Sequence, residues 1–410
     1  MIRSVLVLFV CFGFCIRVYG QSLGFQLTEG RKKIQIPIEI HNNLIVIPVV
    51  LNGALPLKFI LDTGVRTTIL TQKTFTDILN LVYTRKYTIS GPGGQNIVDA
   101  YVTNNVSLDL PGISGKGHAM LVLGEDYLEL RNYLGTDVHG ILGYELFSRF
   151  IIQIDYEKKL LTLMLPEKFH KKRKFQAIPI SIEDTKPYIT AGIVFQNGIS
   201  INAKLLVDSG ASHGLMLEPT SNSSIMVPEN SVSSLIGRGL GGEIVGKVGR
   251  IKSIKVGSFL LDNVIANFPD PNSYSDSIKM GNIFRNGAIG GEILSRFVVV
   301  FNFPAEKIYL KKNSSFKKNF YYNLSGITIK AKGSQLTTFE VTEVRDKSPS
   351  KASGILPGDI ILTLNGISAQ LMDLNLINGF LNSKPGRKIK LEINRQGATL
   401  KKEIELRDPI

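Results

Sequence analysis

One unit of sequence is written twice in this chain of 410 residues. Residues 59–64 read Phe-Ile-Leu-Asp-Thr-Gly, and residues 205–210 read Leu-Leu-Val-Asp-Ser-Gly. Each is followed at nearly equal distance by a second matching segment, residues 140–150 and 287–297, which share the pattern Gly-x-x-Gly-x-Glu-x-x-Ser-Arg-Phe. The duplication predicts two similar units related by a pseudo-twofold axis, each with an Asp at the end of a buried strand.

Both copies are predicted to be built mainly from strands. Between positions 34 and 311, runs of Ile, Val, Leu and Phe alternate with Gly, Asn and Pro, which is typical of many short strands. Each copy opens with a predicted hairpin that turns at an Asn-Gly pair, residues 44–61 and residues 188–207, and the second strand of each hairpin ends at the Asp. Each copy closes with a short predicted helix, near residues 145–147 and 292–294.

The paired Asp-Thr/Ser-Gly turns suit acid-base chemistry. Gly permits the backbone conformation of a tight turn that exposes the carboxylate, while the hydroxyl residue hydrogen-bonds to the backbone. If the pseudo-twofold axis brings Asp62 and Asp208 together, the two carboxylates cannot both ionise at low cost. One proton is then shared, which leaves a base to activate water and an acid to protonate the substrate.

These residues resemble the aspartic peptidases of the retropepsin and pepsin type, in a single-chain form with two lobes, over roughly residues 34–311. The resemblance implies a mainly β, two-lobed acid-protease barrel fold with pseudo-twofold symmetry, and aspartic-type endopeptidase activity that requires no cofactor. Residues 141–143 and 289–291 resemble the segments that cross behind each catalytic loop. The implied site consists of the catalytic pair, Asp62 and Asp208, and of the residues that support their loops, Thr63, Gly64, Ser209 and Gly210.

Gly-rich segments lie at matching positions between the anchors of each copy. They resemble the hairpin tips that act as flaps over a bound peptide and exclude water from the site. The candidate flap residues are Gly91, Gly93 and Gly94 in the first copy, and Gly239, Gly241 and Gly242 in the second.

The residues that follow the two turns depart from the pepsin pattern. In pepsins, the residue after the Gly of each turn carries a hydroxyl that bonds to the catalytic carboxylate. Here those positions hold Val65 and Ala211, which have no hydroxyl, and in this respect they are similar to retropepsins. Loss of that donor favours the protonated carboxyl, so we expect a working pH nearer neutral than that of pepsins. The bulk of Val65 and a cation at Arg66, expected near the pair, are the features that favour a non-catalytic alternative. His213 and Asp99 have no counterpart in the other copy, and we interpret both as structural.

Residues 325–408 resemble a PDZ domain of the bacterial, circularly permuted kind that is attached to periplasmic proteases. The resemblance rests on residues 339–344 and 354–366, the second of which contains Leu-Pro-Gly-Asp. Such domains bind a peptide C-terminus as an added strand, with a loop of backbone N–H groups for the carboxylate. That loop is usually Gly-rich and this one is not, so a structural or gating role stays open beside ligand binding. By position, the candidate peptide-binding residues are Leu336, Thr337, Thr338 and Phe339.

The beginning of the chain is typical of a secretory signal. Arg3 precedes an apolar stretch, residues 5–15, and a small-residue cleavage site precedes Gln21; the Arg17 that follows the stretch leaves an uncleaved anchor as the alternative. No later segment reaches about 18 uninterrupted apolar residues, so we expect no membrane span after cleavage. The predicted domains are a signal peptide (1–20), lobe 1 (21–166), lobe 2 (167–315) and the PDZ domain (325–408).

Composition narrows the choice of ligands. Both cysteines, Cys11 and Cys15, lie in the predicted signal, and the five histidines show no His-x-x-x-His spacing, so we expect neither a thiol nucleophile nor a metal site. The net charge of +14 favours acidic partners or surfaces. The densest basic run, residues 171–174, lacks the interleaved aromatic residues of nucleic-acid modules, so we interpret it as a solvated linker and expect no nucleic-acid partner.

The sequence therefore favours an exported aspartic endopeptidase that acts on peptides or proteins and whose PDZ module recruits substrate or regulates access. By analogy with the PDZ resemblance, we expect it in the periplasm, outside the cell or on the outer surface. One alternative is a peptide-binding scaffold of protease-like fold that holds extended chains without cutting them. Another is an enzyme restrained by its own N-terminal segment, residues 21–33.

Overall fold

The fold is mainly β, as the sequence predicts. The predicted signal segment and the flap candidate Gly94 lie outside the described residues. Within the described part of the chain, no helix is long and apolar enough to span a membrane. The computed structural model describes residues 23–28, 30–89, 91–93, 98–273 and 283–410.

The strands of lobe 1 are β1 (Gly24–Leu27), β2 (Lys33–Pro37), β3 (Glu39–His41), β4 (Leu44–Leu51), β5 (Leu55–Leu61), β6 (Thr68–Leu70), β7 (Tyr83–Ile89), β8 (Val98–Val106), β9 (Leu108–Asp109), β10 (Ile113–Lys116), β11 (His118–Leu123), β12 (Gly140–Leu142), β13 (Ile151–Asp155) and β14 (Leu160–Met164). The strands of lobe 2 are β15 (Gln176–Pro179), β16 (Ser181–Glu183), β17 (Lys186–Val194), β18 (Ser200–Val207), β19 (Leu215–Leu217), β20 (Ser231–Gly239), β21 (Gly242–Val256), β22 (Phe259–Pro269), β23 (Gly287–Ile289), β24 (Phe297–Asn302) and β25 (Lys307–Lys312).

The strands of the C-terminal domain are β26 (Ile327–Lys332), β27 (Thr338–Val344), β28 (Ile360–Leu364), β29 (Ile367–Ser368), β30 (Lys388–Arg395) and β31 (Ala398–Glu405). The α-helices are α1 (Thr74–Ile78), α2 (Leu130–Leu134), α3 (Tyr144–Phe147), α4 (Gly291–Leu294), α5 (Pro349–Ala352) and α6 (Leu374–Leu381). Single turns of 3₁₀-helix lie at Pro166–Lys168, Pro219–Ser221, Ser314–Lys317 and Ala369–Leu371.

The two lobes carry sheets of the same topology. The strand order in lobe 1 is β3-β4-β5-β12-β6-β11-β8-β7, and in lobe 2 it is β16-β17-β18-β23-β19-β22-β21-β20. Every strand of one series has its counterpart at the same place in the other, and in both the fourth strand runs parallel to the third. The repeat in the sequence is therefore a repeat in the fold.

A third sheet joins the lobes. Its order is β15-β25-β24-β13-β14-β2, so each lobe contributes to it, and β13 of lobe 1 pairs with β24 of lobe 2 at its centre. Every residue of β24 is buried, because apolar side chains cover both faces of this sheet. Phe147 of lobe 1 stacks on Phe303 of lobe 2 with ring centroids 5.2 Å apart. The lobes share one hydrophobic core, which fixes their relative position.

The C-terminal domain has a separate hydrophobic core and a sheet of order β26-β27-β28-β30-β31. The Ser348 side chain caps α5 by accepting a hydrogen bond from Lys351 N at 3.2 Å, and Pro349 is the first helical residue. Asp373 caps α6 in the same way, accepting from Leu376 N at 2.7 Å. The edge strands of this sheet are β26 and β31, and α6 contacts β26.

The predicted peptide-binding segment of this domain needs correction. Leu336 and Thr337 lie in the turn between β26 and β27, and Leu336 is buried. Thr338 and Phe339 begin β27, which lies between β26 and β28 in the sheet. Because β27 already has a neighbouring strand on each side, it offers no edge to an added peptide strand. The edge that faces α6 belongs to β26.

Candidate active site

Asp62 and Asp208 occupy equivalent places in the two lobes. Each follows a buried strand, β5 or β18, and its backbone N–H donates to the parallel strand beside it. Asp62 N lies 2.9 Å from Leu142 O, and Asp208 N lies 2.8 Å from Ile289 O. The parallel strands β12 and β23 therefore hold the two aspartate loops in matching positions, as the paired sequence segments predict.

The hydroxyls of Thr63 and Ser209 connect the two loops to each other. Thr63 Oγ1 donates to Val207 O at 2.6 Å and accepts from Ser209 N at 3.0 Å. In return, Ser209 Oγ donates to Leu61 O at 2.9 Å and accepts from Thr63 N at 3.1 Å. Both side chains are fully buried. Each hydroxyl thus satisfies one donor and one acceptor of the opposite loop.

The two carboxyl groups meet at this junction. Asp62 Oδ1 accepts from Gly64 N at 2.6 Å, and Asp208 Oδ1 accepts from Gly210 N at 2.9 Å. The two carboxyl groups approach the same point, because a Cβ atom on Gly64 would lie 3.1 Å from Asp62 Oδ1 and 3.3 Å from Asp208 Oδ1. A Cβ atom on Gly210 would lie 2.2 Å from Asp62 Oδ2, so only glycine fits where the Asp62 carboxyl approaches the opposite loop.

Burial raises the pKa of Asp62 well above its ordinary value, and the negative charge of Asp208 raises it further. The Gly64 N–H and the cation of Lys186 lower the pKa of Asp62, but they do not offset the other two effects. Two carboxyl groups this close cannot both ionise at low cost. The Asp62 carboxyl therefore keeps its proton at a pH at which an isolated carboxyl has lost its own.

The described flap candidates come together across the two lobes. Gly241 N donates to Pro92 O at 2.9 Å, and a Cβ atom on Gly93 would lie 1.9 Å from Gly242 O. Between the lobe 2 candidates, Leu240 packs on an apolar cluster of lobe 1 that includes Ala100. The segments 91–93 and 239–242 therefore contact each other at their tips. They contain all the described flap candidates: Gly91, Gly93, Gly239, Gly241 and Gly242.

Two family models match the chain. Residues 47–146 and 193–290 match the model described as aspartyl protease, and residues 324–406 match that of the PDZ domain. The chain combines a duplicated aspartyl protease domain with a C-terminal PDZ domain. The protease matches contain both aspartate loops and both parallel strands beside them. No curated protein matches the chain.

The residues next to the aspartate loops of the protease domain differ in part from expectation. Arg66 is 69% exposed and forms an ion pair of 3.3 Å with Asp184 of lobe 2. The cation that lowers the pKa of Asp62 is instead Lys186, which no sequence signal indicated. The backbone oxygen of Val65 accepts from Tyr144 N at 2.9 Å, so this position anchors α3.

Asp99 and His213, which have no counterparts in the other lobe, lie in different surroundings. Asp99 forms an ion pair of 2.8 Å with Lys86 on the neighbouring strand. Burial lowers the pKa of His213, and the negative charge of Asp208 opposes this shift only in part. His213 Nε2 is buried without a hydrogen-bond partner among the described residues. The matching position of lobe 1 holds Thr67, so the imidazole that feels the charge of Asp208 has no counterpart beside Asp62.

The two lobes also differ at a pair of glutamates behind the aspartate loops. In lobe 1, Glu145 Oε2 accepts from Thr68 Oγ1 at 2.7 Å. In lobe 2 the matching hydroxyl is missing, because Gly214 occupies the place of Thr68, and Glu292 Oε2 lies 3.0 Å from where a Gly214 Cβ atom would be. Burial raises the pKa of Glu292 to about 7, although the charge of Arg296 lowers it in part.

The hydroxyl network between the loops predicts a large loss of stability when one hydroxyl is removed. Ser209→Ala leaves the buried Thr63 N and Leu61 O groups unpaired, so we expect a loss of about 2–4 kcal/mol in the free energy of unfolding, measured with urea. Thr63→Ala should cost a similar amount, and the double variant less than the sum, because both hydroxyls belong to one network. Thr63→Ser keeps the hydroxyl and is the control. A Ser209→Ala variant within about 0.5 kcal/mol of wild type would contradict this role.

The raised pKa of Glu292 predicts that the stability of the protein depends on pH. The pKa of Glu292 in the folded protein, about 7, exceeds its ordinary value of 4.5, so protonation favours the folded state. That contribution is complete below pH 4.5, declines as the pH rises, and is lost above pH 7. We expect Glu292→Gln to match wild type at low pH and to be more stable by about 1–3 kcal/mol above pH 7, by urea unfolding. Glu145→Gln is the matched control, and an equal gain in both variants would refute the assignment.

Proposed function

We propose that the protein is an exported aspartic endopeptidase that hydrolyses peptide bonds with a water molecule activated between Asp62 and Asp208. The observation that carries the proposal is the close approach of the Asp62 and Asp208 carboxyl groups, together with the raised pKa of the buried Asp62. The match of both lobes to aspartyl proteases supports the same class of reaction. A pair that holds one proton provides a base and an acid within reach of the same substrate atoms.

The reaction follows from that protonation state. The ionised carboxylate takes a proton from water as the water oxygen attacks the peptide carbonyl carbon, while the protonated carboxyl donates its proton to the carbonyl oxygen. The tetrahedral diol then collapses: the carboxylate that gave up its proton takes one from a diol hydroxyl, the C–N bond breaks, and the carboxyl formed from the water proton protonates the leaving nitrogen. The Gly64 and Gly210 N–H groups keep both carboxyl groups oriented throughout. No cofactor takes part in this scheme.

The flap tips supply the enclosure that such a reaction needs. An extended substrate enters when the segments 91–93 and 239–242 separate, and their return excludes bulk water from the carboxyl pair. The PDZ domain recruits peptides or proteins, or regulates their access to the cleft. We propose export from the signal-like residues 1–20 and, by analogy with the PDZ resemblance, a location in the periplasm, outside the cell or on the outer surface.

The first prediction concerns the aspartate pair. Asp62→Asn and Asp208→Asn should each reduce cleavage of a diverse peptide mixture by residues 21–410 at least about 10³-fold, because each variant lacks either the base or the acid. Asp99→Asn, which changes an exposed ion pair, is the matched control and should cleave like wild type. Cleavage is followed by mass spectrometry between pH 3 and 8. A folded wild-type protein that cuts nothing would favour a peptide-binding scaffold instead.

The raised pKa of Asp62 sets the expected pH profile. Activity requires the shared proton, so it should persist up to the pH at which the pair loses that proton and fall above it. Because that pKa is raised, we expect an optimum nearer neutral than for pepsins. An activity optimum below about pH 4 would contradict this expectation.

A further prediction concerns the flap tip of lobe 2. Leu240 packs on apolar side chains of lobe 1, so Leu240→Asp places a charge in that contact and disfavours the closed flap. We expect kcat/KM to fall by about tenfold or more with little change in thermal stability. Leu240→Met retains an apolar side chain and is the control. Equal kcat/KM values for the Asp variant and wild type would show that flap closure does not depend on this contact.

A further inference from the structure

The edge strand of the PDZ domain is covered by a segment of lobe 1, residues 129–135, which contains α2. Asn132 Nδ2 donates to Ala331 O of β26 at 2.8 Å. On the same strand, Lys330 forms an ion pair with Glu129 of the segment. An added peptide strand would bond to the backbone of this edge. Lobe 1 thus already uses hydrogen-bonding capacity that a peptide ligand needs.

The turn that follows β26 is held by the same segment. Arg131 Nη1 donates to Gly333 O at 3.2 Å, and Arg131 Nη2 donates to Ser334 O at 2.5 Å. Arg131 is also paired with Asp137 at 2.7 Å, which fixes the guanidinium on lobe 1. The contact therefore extends beyond the single hydrogen bond at Ala331.

Lobe 1 also contacts α6, the helix that faces β26. Asn375 of α6 donates through Nδ2 to Ile40 O at 3.2 Å and accepts from Asn42 N at 3.2 Å. A Cβ atom on Gly135 would lie 2.5 Å from Leu374 Cβ, at the start of α6. Lobe 1 therefore contacts both sides of the groove between β26 and α6, and Leu374 is 2% exposed.

One side chain of this segment reaches the flap of lobe 2. The ammonium of Lys330 lies 4.5 Å from the ring centroid of Tyr133, and the Arg238 guanidinium lies 5.1 Å from the same centroid. Arg238 Nη2 also donates to Tyr133 Oη at 3.1 Å. Arg238 lies on β20, directly before the flap residue Gly239. Tyr133 thus contacts the PDZ edge and the flap hairpin at once.

We propose that residues 129–135 are a built-in occupant of the PDZ groove, and that this contact restrains the flap hairpin of lobe 2. The displacing partner is an extended peptide with an acidic side chain that replaces Glu129 at Lys330. When it adds to β26, the segment leaves, Tyr133 loses its contact with Lys330, and Arg238 is released with the flap. The gating of cleavage rests on the proposed peptidase function, whereas the competition for the groove does not.

The test of the restraint uses the full chain and charge reversal at the ion pair. The variants are Lys330→Glu, Glu129→Lys and the double swap, with Lys401→Glu as the matched control, since Lys401 pairs with Glu392 away from the groove. Hydrogen-deuterium exchange reports on residues 129–135, 327–332 and 231–239. We expect Lys330→Glu to speed exchange in all three at least about fivefold, the double swap to restore protection, and the control to match wild type.

Each alternative result of this exchange experiment has a definite meaning. Unchanged exchange in all three segments would overturn the docking of residues 129–135 in the groove. Faster exchange in residues 129–135 and 327–332 with an unchanged flap, residues 231–239, would overturn the restraint on the flap. Equal effects of Lys330→Glu and Lys401→Glu would overturn the assignment to the ion pair, because both variants reverse one charge in the same domain.

The competition is tested with a synthetic copy of residues 126–137 as the probe. In Glu129→Lys the protein's own segment is repelled by Lys330, so the fluorescently labelled probe should bind this variant at least about fivefold more tightly than wild type. Equal affinity for both proteins would overturn the competition.

Peptide cleavage completes the test and separates this inference from the proposed function. With the peptide mixture used above, we expect Lys330→Glu to cleave about fivefold faster than wild type. Equal rates would overturn the gating. If no protein cleaves but the exchange and binding results are as expected, the peptidase proposal fails and the groove contact stands.

Discussion

The structure depends on the hydrogen bonds that Thr63 and Ser209 make across the pseudo-twofold axis. Each hydroxyl is buried and bonds to the backbone of the opposite loop, so neither loop can move without leaving polar groups unpaired in a low-dielectric site. The shared sheet around β13 and β24 supplies the rigid frame on which this network is assembled. Two carboxyl groups can be held this close only because the surrounding contacts prevent them from separating.

The duplication is symmetric in topology and asymmetric in chemistry. Thr68 has been replaced by Gly214 at the matching place of lobe 2, and the carboxyl of Glu292 has lost the hydroxyl that Glu145 retains. In lobe 2, His213 has a buried, unpartnered Nε2 atom, and the charge of Asp208 acts on its ring. Such groups cost stability, and they give the two aspartates unequal surroundings. In the proposed reaction, this inequality is what assigns the acid role to one aspartate and the base role to the other.

Structural features that depend on neighbouring residues in the sequence could be predicted. The order of strands in a sheet and contacts between residues far apart in the chain could not. The hairpins that end at Asp62 and Asp208, and the capped helix α5, follow from turn and cap residues within a few positions. The peptide-binding segment was misplaced at Phe339, because sequence order does not reveal which strand lies at the sheet edge. The action of Lys186 on Asp62 joins residues far apart in the chain without any motif.

The position of α2 explains how a small contact at the PDZ domain can reach the protease domain. A helix of five residues is too short to be stable alone, so it depends on its neighbours for its conformation. Its apolar side packs on Ile60, two residues before Asp62, and on the parallel strand that holds that loop. Its polar side contacts β26 and β20, the strand that ends at the flap candidate Gly239. Elements of low intrinsic stability are displaced more readily by competing ligands. For this reason α2, which contacts the strand that leads to Asp62 in lobe 1, the PDZ edge strand and lobe 2, is the element that we expect to move when a ligand binds.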